Sequence, residues 1–174
     1  MFISSDTNIW IDFFEINHPD HPFFFFFKYY LSSAAYDDEL IPSDKKRRIL
    51  EEYGLLTTDL TDDEMKLAGK YVEKYRKLSH YDTFALAIAK SRSWILLTGD
   101  KSLRNAALSE KVECHGIIWI YDELHRLEKI SSEDYVEVLQ ALMTSVQEGR
   151  CRLPIAELVK RLEDLYFSKK GGTI

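Results

Sequence analysis

The chain is poor in several things that would announce a function class. It has two cysteines in 174 residues, Cys114 and Cys151, and neither lies in a CxxC or a Cys/His ligand spacing. Structural zinc and a disulfide framework are therefore poorly supported, and a reducing cytoplasm is the expected compartment. No apolar run approaches the roughly 20 residues that a membrane-spanning helix needs, so no membrane segment is expected. Met1-Phe2-Ile3 already reads as strand, which leaves no room for a signal peptide. Positive charge is not in excess either: 23 Lys and Arg stand against 29 Asp and Glu, a formal charge of −6. The basic footprint that points directly to nucleic acid is thus missing. An acidic balance still suits a nucleic-acid enzyme whose own site is built from carboxylates that ions neutralise. There are no internal repeats, and no low-complexity segment apart from a run of phenylalanines.

What is present is the length of one ordinary domain, with a hydrophobic fraction of 45% that is ample for a core. Met1 to Ser5 reads as a short buried strand, followed by a helix over Thr7 to Ile16 with Ile9, Trp10, Phe13 and Phe14 inward. His18 to Pro22 reads as a loop, because two prolines break helix and restrict their neighbours. His18 and His21 are taken as loop residues, since a transition-metal site there would need further ligands. Phe23 to Phe27 has no useful period. It suits a buried strand or helix, or a self-association surface. A short helix is expected from Ser32 to Ile41, stopped by Pro42, then a basic helix from Ser43 to Tyr53 ended by Gly54. Thr61 and Ser79 open capping boxes, the second starting an alanine-rich helix over Tyr81 to Ser91. Trp94 to Thr98 reads as a buried parallel-type strand, Asp100 to Glu110 as a helix, Val112 to Cys114 as a further short strand, and Ile117 to Leu127 as a helix. Ser131 to Glu148 and Pro154 to Phe167 read as two amphipathic helices, with a flexible tail over 169–174. Strands alternating with helices indicate an α/β three-layer sandwich with a central, mostly parallel sheet.

Four acids stand where these elements change over: Asp6 after the first strand, Glu39 in Tyr36-Asp37-Asp38-Glu39-Leu40, Asp82 in Ser79-His80-Tyr81-Asp82, and Asp100 in Leu97-Thr98-Gly99-Asp100. In an open α/β sheet such positions converge on the crevice at the carboxyl ends of the strands. Carboxylates gathered there repel one another and stay ionised together only around a cation. A hard divalent metal and metal-assisted hydrolysis follow as the first chemistry to consider. Each acid also has a plain structural use. Asp6 and Asp100 suit helix N-caps, Asp82 suits the third position of its capping box, and Glu39 suits an exposed helix face.

Asp6-Thr7-Asn8, Glu39-Leu40, Asp82 before Phe84-Ala85-Leu86-Ala87-Ile88-Ala89, and Leu97-Thr98-Gly99-Asp100 before Leu103-Arg104 together resemble the motif series of the PIN domain, the nuclease fold of VapC-type toxins among other proteins. The resemblance covers about Met1 to Leu127 and rests on the order and spacing of motifs that are individually unspecific. It implies an RNA-cleaving enzyme that uses Mg²⁺ or Mn²⁺. Asp6, Glu39, Asp82 and Asp100 would be the acidic metal-site quartet, with Asn8 and Thr98 as supporting polar residues. The second acid can slip by one position to Asp38; Glu39 is preferred because Leu40 follows it. An antitoxin protein and a second copy of the chain are the partners implied. The division expected is a PIN-like domain over 1–127, a helical extension over 128–168 packed on it, and the tail. The extension exceeds the compact toxin length.

Lys101 and Arg104, one turn apart beside Asp100, suit a grip on a substrate phosphate, or equally a solvated helix face. Lys45 to Arg48 more simply form a solvated face, and Tyr29, Tyr30, Tyr53 and Tyr81 are more simply core than base-stacking residues. Two other functions compete: a non-catalytic PIN-fold interaction module, and, ranked lower, a haloacid-dehalogenase-like phosphatase with Asp6 as nucleophile, for which Asn8 stands where a second Asp belongs.

Overall fold

The computed structural model describes residues 1–39 and 44–170. Five short strands form one all-parallel sheet: β1 (Phe2–Ser5), β2 (Lys28–Ser32), β3 (Leu56–Thr58), β4 (Ile95–Leu97) and β5 (Cys114–His115), in the order β3-β2-β1-β4-β5. β1 is central. Its Ser4 lies opposite Tyr30 on one side and Leu96 on the other. Helices α1 (Thr7–Glu15), α7 (Ile117–Arg126), α8 (Ser132–Gln147) and α9 (Ile155–Lys170) contribute to one core, and α4 (Asp62–Lys74), α5 (His80–Arg92) and α6 (Lys101–Ser109) to the other. Helices α2 (Ser33–Asp38) and α3 (Asp44–Tyr53) lie between β2 and β3 in the chain. This is the three-layer α/β sandwich expected from the alternation of strands and helices.

Side chains alternate across the sheet as a strand requires. Ile95 and Leu97 enter the first core while Leu96 enters the second. Ile3 of β1 joins the first core, and Ser4 points the other way, donating its hydroxyl to the Ala85 carbonyl in α5 (3.0 Å). The alanines of α5 let it lie close on the sheet: Ala85, Leu86, Ala87, Ile88 and Ala89 are all buried. The first core is rich in aromatics. Trp10 packs on Phe13, Phe23 and Tyr29, and its indole N–H donates to Ser5 Oγ (3.0 Å). The C-terminal helices share this core through Tyr135, Val138, Leu139 and Leu142 of α8 and Leu158 of α9. Arg161 of α9 reaches Asp122 of α7 at 2.6 Å. Both capping boxes form as read, at Thr61 and Ser79, and a third that the sequence reading did not name forms at Ser131 with Asp134.

Several expectations need correction. The phenylalanine run is neither a strand nor a regular helix. His21–Phe24 form a 3-10 turn, Phe25 is buried, Phe26 is 96% exposed, and the strand begins only at Lys28. The run fails as a single element because its side chains face in different directions, into the core beside Trp10 and out to solvent. β3 escapes a periodicity reading because it is a three-residue edge strand with Leu56 40% exposed. β5 is shifted by one residue or more, to Cys114–His115, and α9 runs past the expected end at Phe167. The expected helix stop at Pro42, with Leu40, Ile41 and Ser43, lies outside the described residues, as do 171–174 of the tail.

One polar knot holds the β3 edge. Arg92 at the end of α5 makes paired bonds to Glu64 of α4 (2.7 and 2.8 Å), bonds Thr58 Oγ1 (2.8 Å) and the Asp59 carbonyl (2.9 Å), and covers the Trp94 ring at 4.9 Å. Glu64 is only 3% exposed, so removal of its partner leaves a buried charge uncompensated. Arg92→Ala is expected to cost about 3 kcal/mol in urea unfolding; a loss below about 1 kcal/mol would show that the knot does not hold the edge.

Candidate functional site

The connections leaving the two middle strands run in opposite directions: β1 leads through α1 to β2, and β4 leads through α6 to β5. The two helices belong to opposite layers. Their divergence opens a crevice at the carboxyl ends of β1 and β4, where ligands bind in open α/β sheets.

Asp6 sits at the floor of that edge, 4% exposed. Its backbone N–H donates to the Leu97 carbonyl (3.1 Å), extending the β1–β4 pairing by one step. Its Oδ1 accepts from the Ile9 N–H (3.0 Å) as the cap of α1, and its Oδ2 accepts from the hydroxyl of Thr98, which is fully buried. Thr98 Oγ1 in turn accepts the Asp100 N–H (2.9 Å), and Asp100 Oδ1 accepts the Leu103 N–H (2.7 Å) as the cap of α6. A continuous chain of bonds thus joins the two strand-end acids and both helix N-termini, whose positive dipole ends favour negative charge here.

Asp82 occupies the first turn of α5. Its Oδ2 accepts the Ser79 N–H (2.8 Å), and its own N–H donates to Ser79 Oγ (3.0 Å). The bond from Ser4 to Ala85, in the next turn of α5, fastens this end of the helix to β1. Glu39, at the end of α2 and exposed, accepts from the Thr7 hydroxyl (2.6 Å), next in the chain to Asp6. Its neighbour Asp38 accepts instead from the Tyr81 hydroxyl (2.8 Å), next to Asp82. Asn8, Asp100, Lys101 and Arg104 line a cleft of about 950 Å³. Its other wall carries Arg150, Arg152 and Pro154 from the α8–α9 connection.

Sequence reasoning missed Asp12. It lines the same cleft one helical turn beyond Asn8, and a Cβ on Gly99 would come within 3.2 Å of its Oδ2. A glycine between Thr98 and Asp100 is what allows this carboxylate to approach the strand end. The available signal was the i, i+4 spacing of Asn8 and Asp12, which puts both on one face of α1.

The acids act on one another electrostatically. Burial pushes the Asp6 carboxyl up to about 7; the bonds from Thr98 and Ile9 pull it down, and the charges of Asp82 and Asp12 push it further up. Burial likewise raises Asp12 to about 6, against a bond from the Cys151 thiol. It raises Asp82 as well, with the charge of Asp100 adding to it. Asp6, Asp12, Asp82 and Asp100 therefore share one electrostatic environment. The carboxylates nevertheless stand apart. Among the described residues, three or more His, Cys, Asp or Glu ligand atoms lie within 4.8 Å of one another only at His18, Asp20 and His21, and not at the acid quartet. Asp6, Asp82 and Asp100 are each held by their own helix start, and Glu39 at the end of α2 by Thr7. Both cysteines are protonated at neutral pH, burial raising each thiol to about 12.

Because the folded-state pKa of Asp6 lies above its ordinary value of 3.8, folding favours the protonated acid. Its contribution is most favourable below about pH 4 and is lost as pH rises through about 7. Asn caps a helix as well as Asp does. In chelator, Asp6→Asn should thus stabilise the protein by about 2 kcal/mol near pH 8 and by much less near pH 4, read from urea midpoints. Equal effects at the two pH values would contradict a desolvated carboxylate.

The comparisons agree with this architecture. A family model described as DUF3368, a PIN domain, matches residues 2–164. No curated protein and no solved structure matches the chain. PIN domains have a nuclease-type fold, and their nucleases generally use divalent metals. Among the described residues no helix is long and apolar enough to cross a membrane. The match spans the sheet, the helices on both its faces and most of α9, and the chain belongs to this PIN-domain family.

Proposed function

We propose that this protein is a divalent-metal-dependent endoribonuclease, with Asp6, Glu39, Asp82 and Asp100 as the residues that hold the metal and Mg²⁺ or Mn²⁺ as the ion. The observation that carries this reading is a nearly buried carboxylate, Asp6, raised to about 7 and placed where the charges of Asp82 and Asp12 oppose its own. A buried carboxylate opposed by like charges favours an incoming cation. An all-oxygen donor set suits a hard ion that keeps part of its hydration.

A divalent ion bound there supplies the Lewis acidity that activates a water and offsets charge on the phosphodiester. The chain's own residues do the rest. Asp6 and Asp100 stand on strand ends, the most rigid platforms available, and would be the central ligands. Glu39 and Asp82 would complete the set from the end of α2 and the first turn of α5. Thr98 fixes the Asp6 carboxylate through its hydroxyl, and Asn8 offers a polar group at the mouth of the cleft. Asp12 adds a further carboxylate that sequence reasoning did not assign. Lys101 and Arg104 would hold the substrate phosphates on either side of the cut, and the exposed Arg152 faces the same cleft. RNA is the substrate in this reading. A toxin role, with an antitoxin protein as partner, is its finer form and rests on the resemblance of the motif series to VapC-type toxins.

One observation favours a non-catalytic interaction module instead: α9 leaves Ile155, Val159, Tyr166 and Phe167 exposed, an apolar surface suited to a protein partner or to a second copy of the chain.

Activity separates the two. Asp6→Asn and Asp100→Asn should each lower Mn²⁺-dependent RNA cleavage by about 100-fold or more with circular dichroism unchanged. Expression of the wild type, but not of Asp6→Asn, should arrest growth of a bacterial host if the toxin form holds. Cleavage at the wild-type rate by either variant, or cleavage that survives chelation, would overturn the nuclease assignment.

A further inference from the structure

The connection between α1 and β2 carries a second cluster of metal-ligating side chains, at the other end of the molecule from the crevice. α1 begins at the crevice and runs away from it for nine residues, about 13 Å. Asn17 at φ 61° then turns the chain, and the His18 N–H closes onto the Phe13 carbonyl (3.0 Å). Pro19 and Pro22 restrict the backbone on either side of Asp20, and the Phe23 N–H bonds the Asp20 carbonyl (2.9 Å). The segment is thus held in a set shape.

Within it, ligand atoms from His18, Asp20 and His21 all lie within 4.8 Å of one another. The two imidazoles are stacked, with centroids 4.0 Å apart and planes 15° from parallel. His21 is 8% exposed, and its ring is fixed between Phe24 and the edge of Tyr121. Its Nδ1 meets the Tyr121 hydroxyl at 3.2 Å. Engagement of one ring nitrogen orients the other and sets the tautomer, the arrangement metal-binding histidines use. With Nδ1 so engaged, Nε2 would be the ligand atom. Asp134, in the first turn of α8, is close enough for its charge to act on both histidines. Among the described residues its carboxylate is not one of the ligand groups within 4.8 Å, so a fourth ligand position falls to water and Asp134 adds only its negative charge nearby.

We propose that His18, Asp20 and His21 form a binding site for a zinc-class transition-metal ion, separate from the carboxylate crevice, that steadies the α1–β2 connection against α7 through the contact of His21 with Tyr121. The ligand types decide the class. Imidazole suits zinc, nickel, copper and cobalt, whereas magnesium and manganese prefer all-oxygen sets. Metal–nitrogen and metal–oxygen bonds of about 2.0–2.2 Å require donor atoms within about 4 Å of one another, so the ligand atoms must draw closer. The His18 ring must rotate out of its stack on His21 to aim its in-plane lone pair at the ion, while Tyr121 holds His21 in place. The sequence alone suggested a loop with too few ligands. The missing information was that Asp20 and both rings converge and that Tyr121, one hundred residues away, fixes one of them.

The test uses the full chain, stripped of metal by chelation and then titrated with Zn²⁺ by calorimetry and with Co²⁺ by visible absorption. The wild type should take up one Zn²⁺ per chain at this site, show ligand-field bands with Co²⁺, and melt at a higher temperature with Zn²⁺. His18→Ala and Asp20→Asn should each lose this uptake and the bands, while Asp6→Asn keeps both. Asp20→Asn removes a charge without changing shape, so it carries the test if His18→Ala fails to fold. Zn²⁺ uptake equal in the wild type and Asp20→Asn would overturn the proposal. So would uptake lost in Asp6→Asn and retained in Asp20→Asn, which would assign the ion to the crevice acids.

Discussion

The bond from Thr98 to Asp6 joins the two strands at which the chain changes direction across the sheet. β1 pairs with β2 on one side and β4 on the other, and the sheet grows outward from this pair. Only at such a divergence can two helices on opposite layers begin side by side without a connection closing the gap. Thr98 lies just past β4 and Asp6 just past β1, so their contact fixes how the ends of the two strands meet. Asp100 joins through its N–H, and α1 and α6 take their starting directions from the two capping carboxylates.

This geometry has an electrostatic consequence. Nearly complete burial disfavours a charged carboxylate, and nearby carboxylates disfavour it more; backbone N–H donors and a hydroxyl offset part of that. The balance leaves Asp6 with a pKa near 7. Such a residue is a poor stabiliser of the fold on its own and a good receiver of positive charge. Separate capping bonds keep Asp6, Asp82 and Asp100 on their own helices and prevent them from collapsing onto one another. Local rigidity and mutual repulsion thus coexist at one sheet edge, consistent with a PIN-domain nuclease that binds divalent ions.

The parts of this arrangement that were legible in the sequence share a cause: they follow from local rules. β1 and β4 show as short apolar runs ending in acids, α4 and α5 announce themselves by capping boxes, α8 by its amphipathic pattern, and the alternation of elements implies a parallel sheet. β3 was not legible because an exposed three-residue edge strand has no pattern. β2 was obscured by the phenylalanines before it, whose partners lie on α1, α3 and α7. At the site, Asp6 and Asp100 could be placed from strand ends, and Asp82 from its box. Glu39 rested on the resemblance, and its contact with Thr7 comes from a part of the chain that local rules do not reach. Asp12 looks like any polar helix residue until Gly99 is seen to make room for it. His18 and His21 were visible as residues, but not their convergence.

The central claim is that the carboxylates at the ends of β1 and β4 hold a divalent ion together, and a crystal grown or soaked with Mn²⁺ tests it most directly through anomalous scattering. A strong peak in contact with both Asp6 and Asp100, with Asp82 or Glu39 alongside, is the expected result. Mn²⁺ bound elsewhere, with Asp6 and Asp100 still held only by Thr98 and their helix caps, would contradict it.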